Sequence, residues 1–250
     1  MNKRPIKKIL KAFFKKPFYI ALINIFKYFY HPTDVLRRYI FGQGDYPKKI
    51  TVKTPLGKQE VWLYSFHDMI TMVECYGKLD YPAEKEISCV VDFGSNIGIS
   101  AGYFLTRNKN IKIYLFEPLP ENINRLKNNL QGFESRYELH EVAVGLENGH
   151  ADFGFEATGR YGGLESDLPK TIQVQVRKVE EIISIILEKV GHIDILKIDV
   201  EGLENTILKR ISPENLKNIN RVYAETIYSE CLPGFDKEQY GGVVRFRKTL

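Results

Sequence analysis

Val90-Val91-Asp92-Phe93-Gly94-Ser95-Asn96-Ile97-Gly98 is the stretch that decides the fold. A hydrophobic strand runs into an acid, then into two glycines four positions apart, and a helical pattern follows over residues 99–105. Glycine lets a backbone turn tightly and approach a ligand closely. Nineteen residues beyond Gly98 stands Glu117, at the end of a second hydrophobic run over residues 111–116. A strand–turn–helix followed by a strand ending in an acid builds a nucleotide-binding crevice at the head of an α/β sheet. The acid there can accept both ribose hydroxyls.

Two kinds of nucleotide compete for such a crevice. A dinucleotide fingerprint reads Gly-x-Gly-x-x-Gly and aims a helix N-terminus at a pyrophosphate. Here Asn96 replaces the middle glycine and Asp92 sits at the strand end. An acid at that place repels a pyrophosphate and suits a cation, such as the ammonium of S-adenosylmethionine. Together with Glu117 the motif favours a methyl donor over a dinucleotide.

From residue 88 onward strand and helix patterns alternate. Strands are predicted at 90–93, 111–116 and 137–144, with helices at 99–105 and 120–130. A helix at 179–190, a strand at 193–198, a helix at 203–209 and a strand at 221–224 continue the series. This alternation predicts an α/β fold with a doubly wound, mostly parallel, Rossmann-like sheet. Two further strand-like runs, 151–155 and 172–176, flank a glycine-rich loop at 158–166. After Glu225 only residues 243–247 read as a strand, so the sheet is expected to be shortened at its C-terminal end. Residues 31–87 read as a small α+β cap. It has strands at 49–53 and 60–64 around Thr54-Pro55-Leu56-Gly57 and a helix at 67–76. The expected organisation is a basic segment at 1–30, the cap at 31–87 and the ligand-binding domain at 88–250.

With 44% hydrophobic and 27% charged residues the composition is that of an ordinary globular protein. The net charge of +5 is unevenly placed, since Lys3, Arg4, Lys7, Lys8, Lys11, Lys15 and Lys16 precede any acid. The body lacks the basic surplus of a nucleic-acid binder, so no nucleic-acid partner is expected. The lysines of residues 1–30 alternate with Ile6, Ile9, Leu10, Phe13 and Phe14 at helical spacing. An apolar run at 18–26 follows, too short to span a bilayer. Two readings stand for this segment: a helix lying in the interface of an anionic membrane, or a helix packed on the domain by its aromatic face. Cys75, Cys89 and Cys231 are scattered, with neither disulfide nor metal spacing, which points to a reducing compartment. A cytoplasmic protein is expected, peripheral on the inner membrane face under the first reading.

In open α/β sheets ligands bind beyond the carboxyl ends of the strands. Asp92, Glu117, the Asp199–Glu201 pair and Glu225 end four separate predicted strands, and so share one edge. Methyl transfer is a displacement at carbon whose alignment is worth on the order of 7–11 kcal/mol at best. A hydroxyl acceptor also gains about 100- to 10,000-fold from a base that removes its proton in concert. A divalent metal held by carboxylates is the alternative way to polarise that hydroxyl, although no metal ligands are indicated. Arg160 and Tyr161, in the glycine-flanked loop, and Glu225 are candidate substrate contacts. His67-Asp68 is either a helix cap or a substrate contact.

Val91 to Gly98, Phe116-Glu117-Pro118, Ala143-Val144-Gly145 and Leu196-Lys197-Ile198-Asp199-Val200-Glu201-Gly202 together resemble the FkbM family of S-adenosylmethionine-dependent methyltransferases. The likeness runs from about residue 64 to residue 226. It implies a class I methyltransferase fold and O-methylation of a sugar, glycan or glycan precursor, with a small-molecule or lipid-linked hydroxyl as the alternative. Carried over by position, Asp92, Gly94, Ser95, Asn96 and Gly98 would cradle the methionine end of the donor. Glu117 and Pro118 would hold the ribose, and Ala143 and Val144 would lie near the adenine. Lys197, Asp199 and Glu201 would face the reacting centre, with Glu201 as base and Asp199 placing the donor ammonium or a water. Lys197 and Asp199 could instead be a salt-bridged pair that shapes the strand end. A non-catalytic, donor-binding partner of a glycan-assembly enzyme is a third reading; the short C-terminus favours it and the intact acids oppose it.

Overall fold

A computed structural model describes residues 16–156, 162–164 and 168–249. The N-terminal part holds helices α1 (Lys16–Tyr28) and α2 (Pro32–Phe41), the hairpin β1 (Lys48–Thr54) and β2 (Gly57–Leu63), and helix α3 (Phe66–Val73). Sequence explains the boundaries. Pro32 fits the first turn of α2, where its missing N–H costs nothing, and Gly42 ends that helix in the left-handed region at φ 64°. Ser65 and Asp68 form a reciprocal capping box on α3. The helix expected at 67–76 therefore begins at Phe66, and its last residues belong to a π-helical turn, Glu74–Lys78.

The larger part continues as β3 (Cys89–Phe93), α4 (Ile99–Leu105), β4 (Lys112–Phe116), α5 (Pro120–Asn129), β5 (Tyr137–His140) and β6 (Ala143–Gly145). Next come β7 (Gly149–Phe155), β8 (Gly162–Leu164), β9 (Lys170–Lys178), α6 (Val179–Val190) and β10 (Ile193–Ile198). Helices α7 (Glu204–Arg210) and α8 (Pro213–Leu216) precede β11 (Ile219–Ala224), β12 (Phe235–Tyr240) and β13 (Val243–Lys248). Seven strands form the central sheet in the order β12-β13-β11-β10-β3-β4-β5. The five from β11 to β5 are parallel, and β13 is antiparallel to its neighbours. Chain order reverses between β3 and β10, which opens a crevice at their carboxyl ends.

Alternate strand residues face opposite cores, as the period of two requires. Val90, Ile113, Ile195 and Tyr223 pack with α4 and the N-terminal elements. Val91, Tyr114, Leu196 and Val222 pack with α6, α7 and α8. Both faces of the parallel strands are covered, which is why they read as continuous apolar runs.

The expected shortening at the C-terminal end is wrong. Both closing strands are present, β12 and β13, joined at Gly241-Gly242, with Tyr240 paired to Val243 and Gly241 at φ 63°. The strand missed in the sequence, β12, is an edge strand whose residues 236–239 are all exposed. An exposed polar edge carries no hydrophobic pattern. The doubt about sheet completeness falls with it. The strand expected at 137–144 is in fact two, since β5 edges the central sheet and β6 joins a four-stranded lateral sheet ordered β6-β9-β7-β8. In the glycine-rich loop, Gly162–Leu164 pairs with β7. Arg160 and Tyr161, and the basic residues before Lys16, lie outside the described residues.

Candidate active site

The loop after β3 is fastened to β4 by its own backbone and by one hydroxyl. Gly94 and Ser95 donate their N–H groups to Phe116 O, at 3.1 and 3.0 Å. Ser95 Oγ donates to Asp92 O at 2.8 Å and accepts from Phe116 N at 3.1 Å. Ser95 borders the cleft, but its hydroxyl is committed to holding the loop. Gly94 has no alternative: it sits at φ 75°, and a Cβ there would lie 1.7 Å from Asp199 O. Gly98 caps α4 at φ 81°, and a Cβ there would press on Leu126 of α5 and on Leu130 just after it. Gly98 is thus a packing residue and not part of the cleft lining.

Behind the loop sits Lys197, with a side chain 3% exposed. Its three N–H donors reach Asp92 Oδ1 at 2.9 Å, Gly94 O at 3.2 Å and Asp199 Oδ2 at 3.2 Å. An ammonium has three donors and no acceptor, so Lys197 is fully used. Burial alone would lower its pKa, but Asp92, Asp199 and Glu225 together hold it well above the usual ammonium value. Asp92 is completely buried, and its second oxygen accepts from Ser100 Oγ at 2.6 Å. Burial pushes the Asp92 carboxyl up while Lys197 and Ser100 pull it back. An ammonium on one oxygen and a hydroxyl on the other give both ends of the Asp92 carboxyl a partner, though burial still leaves its pKa raised. Asp92 is not among the residues that border the cleft; its carboxylate contacts Lys197 and Ser100. Lys197 and Asp199 are salt-bridged, and both also border the cleft.

In front of the loop opens a cleft with roughly 940 Å³ of space, part of it open to solvent. Gly94, Ser95, Asn96, Glu117, Pro118, Ala143, Val144, Lys197, Asp199, Glu201 and Glu225 all border it. Glu117 is 4% exposed and accepts from Asn96 N at 2.9 Å, Leu119 N at 3.0 Å and Asn122 Nδ2 at 3.2 Å. Three of about four acceptor sites on its carboxylate are filled. Burial outweighs those donors and pushes its pKa up to about 7. Beside it Phe116, Leu119, Val142, Ala143, Val144 and Phe153 supply an apolar wall. An apolar wall next to a carboxylate that can take another hydroxyl donor fits a nucleoside, and Asp199 offers a carboxylate to an ammonium.

Asp199, Glu201 and Glu225 add three further acids to the cleft lining. Glu201 is exposed and holds a left-handed backbone at φ 44°. A bulky residue there is strained, and such strain gathers at functional sites. Asn96, at φ 47° on the facing loop, is a second case. Gly163 of β8 passes so near that a Cβ would lie 2.8 Å from Glu201 O. Burial, then the charge of Asp199, pushes the Glu225 carboxyl up to about 8. Glu204, at the start of α7, accepts from Gly202 N at 3.2 and 3.1 Å. Among the described residues no three His, Cys, Asp or Glu side chains are grouped to hold a metal ion.

The N-terminal part also contributes cleft residues, of which the sequence offers only Asp68. Tyr81 donates its hydroxyl to Glu225 and lies under Lys197, whose Nζ is 5.6 Å from the ring centre. Thr71 and Asp68 of α3 also border the cleft. Asp68 Oδ2 accepts from Tyr64 N and Ser65 N, which completes the capping box with Ser65. Tyr81 carries no motif; its only sequence signal is an aromatic before a proline.

Known proteins share this arrangement of sequence. A model of the family described as the methyltransferase FkbM domain matches residues 92–245. "Methyltransferase 1" of Beauveria bassiana is 23% identical over 193 residues, covering 68% of this chain and 75% of that protein. The "2-O-methyltransferase NoeI" of Sinorhizobium fredii is 29% identical over 186 residues, covering 67% of this chain and 71% of that protein. A crystal structure titled methyltransferase FkbM, from Methylobacillus flagellatus, aligns at 18% identity with a TM-score of 0.36. That alignment takes in 58% of this chain and spans 34% of the other.

Proposed function

The chain belongs to the FkbM methyltransferase family, an S-adenosylmethionine-dependent enzyme family, and from that premise we propose that it methylates a hydroxyl oxygen of a sugar, glycan or glycan precursor. The observation that carries this reading is that Asp199, Glu201 and Glu225, at the ends of β10 and β11, line the same cleft as Glu117 and the apolar wall. A hydroxyl is a weak nucleophile and needs a proton acceptor as it attacks. Carboxylates are the acceptors this cleft offers. The name 2-O-methyltransferase borne by one relative is in keeping with an oxygen acceptor.

When bound, S-adenosylmethionine supplies an electrophilic methyl group on a sulfonium. Glu117 would take one ribose hydroxyl on its remaining acceptor site, and the wall of Phe116, Ala143 and Val144 would hold the adenine. Asp199, fixed by Lys197, would orient the donor ammonium. Glu201, on the strained turn after β10, would accept the acceptor's hydroxyl proton as the carbon–oxygen bond forms. Lys197 and Asp92 position these groups without touching the reactants.

Incubation of the purified chain with labelled donor and a panel of sugars and glycans tests the reading, with product analysed for one methyl ether. Glu201→Gln should keep adenosylhomocysteine affinity and lose about 100-fold or more in turnover. Normal turnover by Glu201→Gln beside an inactive Glu225→Gln or Asp199→Asn moves the base to that residue. Transfer to nitrogen or carbon acceptors alone overturns the oxygen assignment.

A further inference from the structure

Helix α1 has two faces with opposite environments. Phe18, Ala21, Asn24 and Ile25 are buried, and Asn24 Nδ2 ties the helix to Gly77 O at 2.7 Å. On the other face Tyr19, Ile23 and Phe26 are 54%, 67% and 60% exposed. Their spacing of four and three residues puts them on one stripe. The helix is therefore packed on the domain and also presents a large apolar stripe outward. A stripe of large apolar side chains on a surface helix marks an interaction site.

Charge indicates what the stripe meets. Helix α1 has no acid, and Lys16 and Lys27 stand at its ends. Lys53 of the adjoining β1 lies with its Nζ 5.4 Å from the ring of exposed Tyr30. Residues 1–58 carry 14 Lys and Arg against 2 Asp and Glu, which leaves 22 against 29 in the rest of the chain. A basic end on an otherwise acidic protein is complementary to anionic headgroups. Aromatic rings flanked by lysines are the residue types that settle at a membrane interface. With 13 residues α1 is shorter than the roughly 20 needed to span, and no helix among the described residues is long and apolar enough to cross.

We propose that α1 lies in the plane of an anionic lipid bilayer, with Tyr19, Ile23 and Phe26 inserted among the headgroups and the surrounding lysines on lipid phosphates. The full chain should co-sediment with phosphatidylcholine vesicles containing phosphatidylglycerol, and far less with phosphatidylcholine alone. Salt should release it only in part, because the apolar contact is not screened. I23E/F26E and the uncharged I23S/F26S should each partition about tenfold more weakly or worse. Both should keep the wild-type melting temperature, since the side chains changed are more than half exposed. Absence of binding to either vesicle overturns the proposal. So does wild-type binding by both variants, which would place the contact elsewhere. A wild-type dimer in solution that I23S/F26S dissociates would assign the stripe to a second copy and also overturn it.

Discussion

The hydroxyl of Tyr81 donates to the carboxylate of Glu225, joining residues 144 positions apart across the cleft. Tyr81 follows the π-helical turn of the N-terminal part, and Glu225 ends β11 of the central sheet. The N-terminal elements thus build one wall of the active site.

Tyr81→Phe should shift the pH dependence of turnover. Tyr81 holds the Glu225 pKa down against burial and the charge of Asp199. Without that donor Glu225 binds its proton more tightly, so any limb of kcat/KM that reports it should move to higher pH, by up to about one unit. Stability should fall by about 1 kcal/mol for the lost hydrogen bond. A fall in melting temperature with an unmoved pH profile would leave Tyr81 as a packing residue.

Lys197→Met should destabilise the fold strongly. It removes the cation from Asp92, which is wholly buried, and from Asp199. Leaving a buried charge unpaired costs about 3–5 kcal/mol. The double variant Asp92→Asn, Lys197→Met should be less damaged than the two single losses added together, because the residue left behind is neutral. Urea unfolding of the four proteins gives the coupling, and strict additivity would deny the ion pair its role.

Gly94→Ala and Gly202→Ala form a matched pair. Both positions have positive φ, 75° and 94°, but only at Gly94 does a Cβ meet backbone, 1.7 Å from Asp199 O. Around Gly202 nothing lies within 4 Å. Gly202→Ala should cost roughly the 1–2 kcal/mol of left-handed strain and retain donor affinity. Gly94→Ala must part β3 from the end of β10, and calorimetry with adenosylhomocysteine should find its binding lost.

Where burial produced a pattern, the fold was legible. The apolar runs of β3, β4 and β10 and the glycine loop placed the crevice, and the acids at the strand ends placed most of its lining. Position at a strand end did not tell which acid faces the ligand. Asp92 and Glu117 end neighbouring strands, yet Lys197 claims the first and the cleft keeps the second. Strand β12 was hidden because an edge strand with exposed residues at 236–239 has no hydrophobic period. Tyr81 was hidden because its role depends on a partner 144 residues away, which no local spacing encodes.

Glu117 should make both stability and donor binding depend on pH. Its pKa is about 7 in the fold against about 4.5 when unperturbed. Between those values the native state keeps a proton that the unfolded chain has released. Stability from this group is therefore complete below about pH 4.5, declines as pH rises, and levels off above about 7. The decline is at most about 3 kcal/mol. In Glu117→Gln that slope should flatten, with the remainder coming from Glu225, whose pKa is also raised by burial. The amide brings its own penalty, because its NH2 end must face an N–H donor where the carboxylate had an acceptor. The variant should thus be less stable than wild type near pH 5, and the gap should narrow toward pH 8. Binding runs the other way. A ribose hydroxyl donates to the ionised carboxylate, so wild-type affinity for adenosylhomocysteine should rise through pH 7, while the variant binds about 10-fold more weakly or worse with little pH dependence. Calorimetry and urea unfolding across the same pH series separate the two effects. A wild-type affinity that does not change through this window would remove Glu117 from the ribose site, whatever the stability curves show.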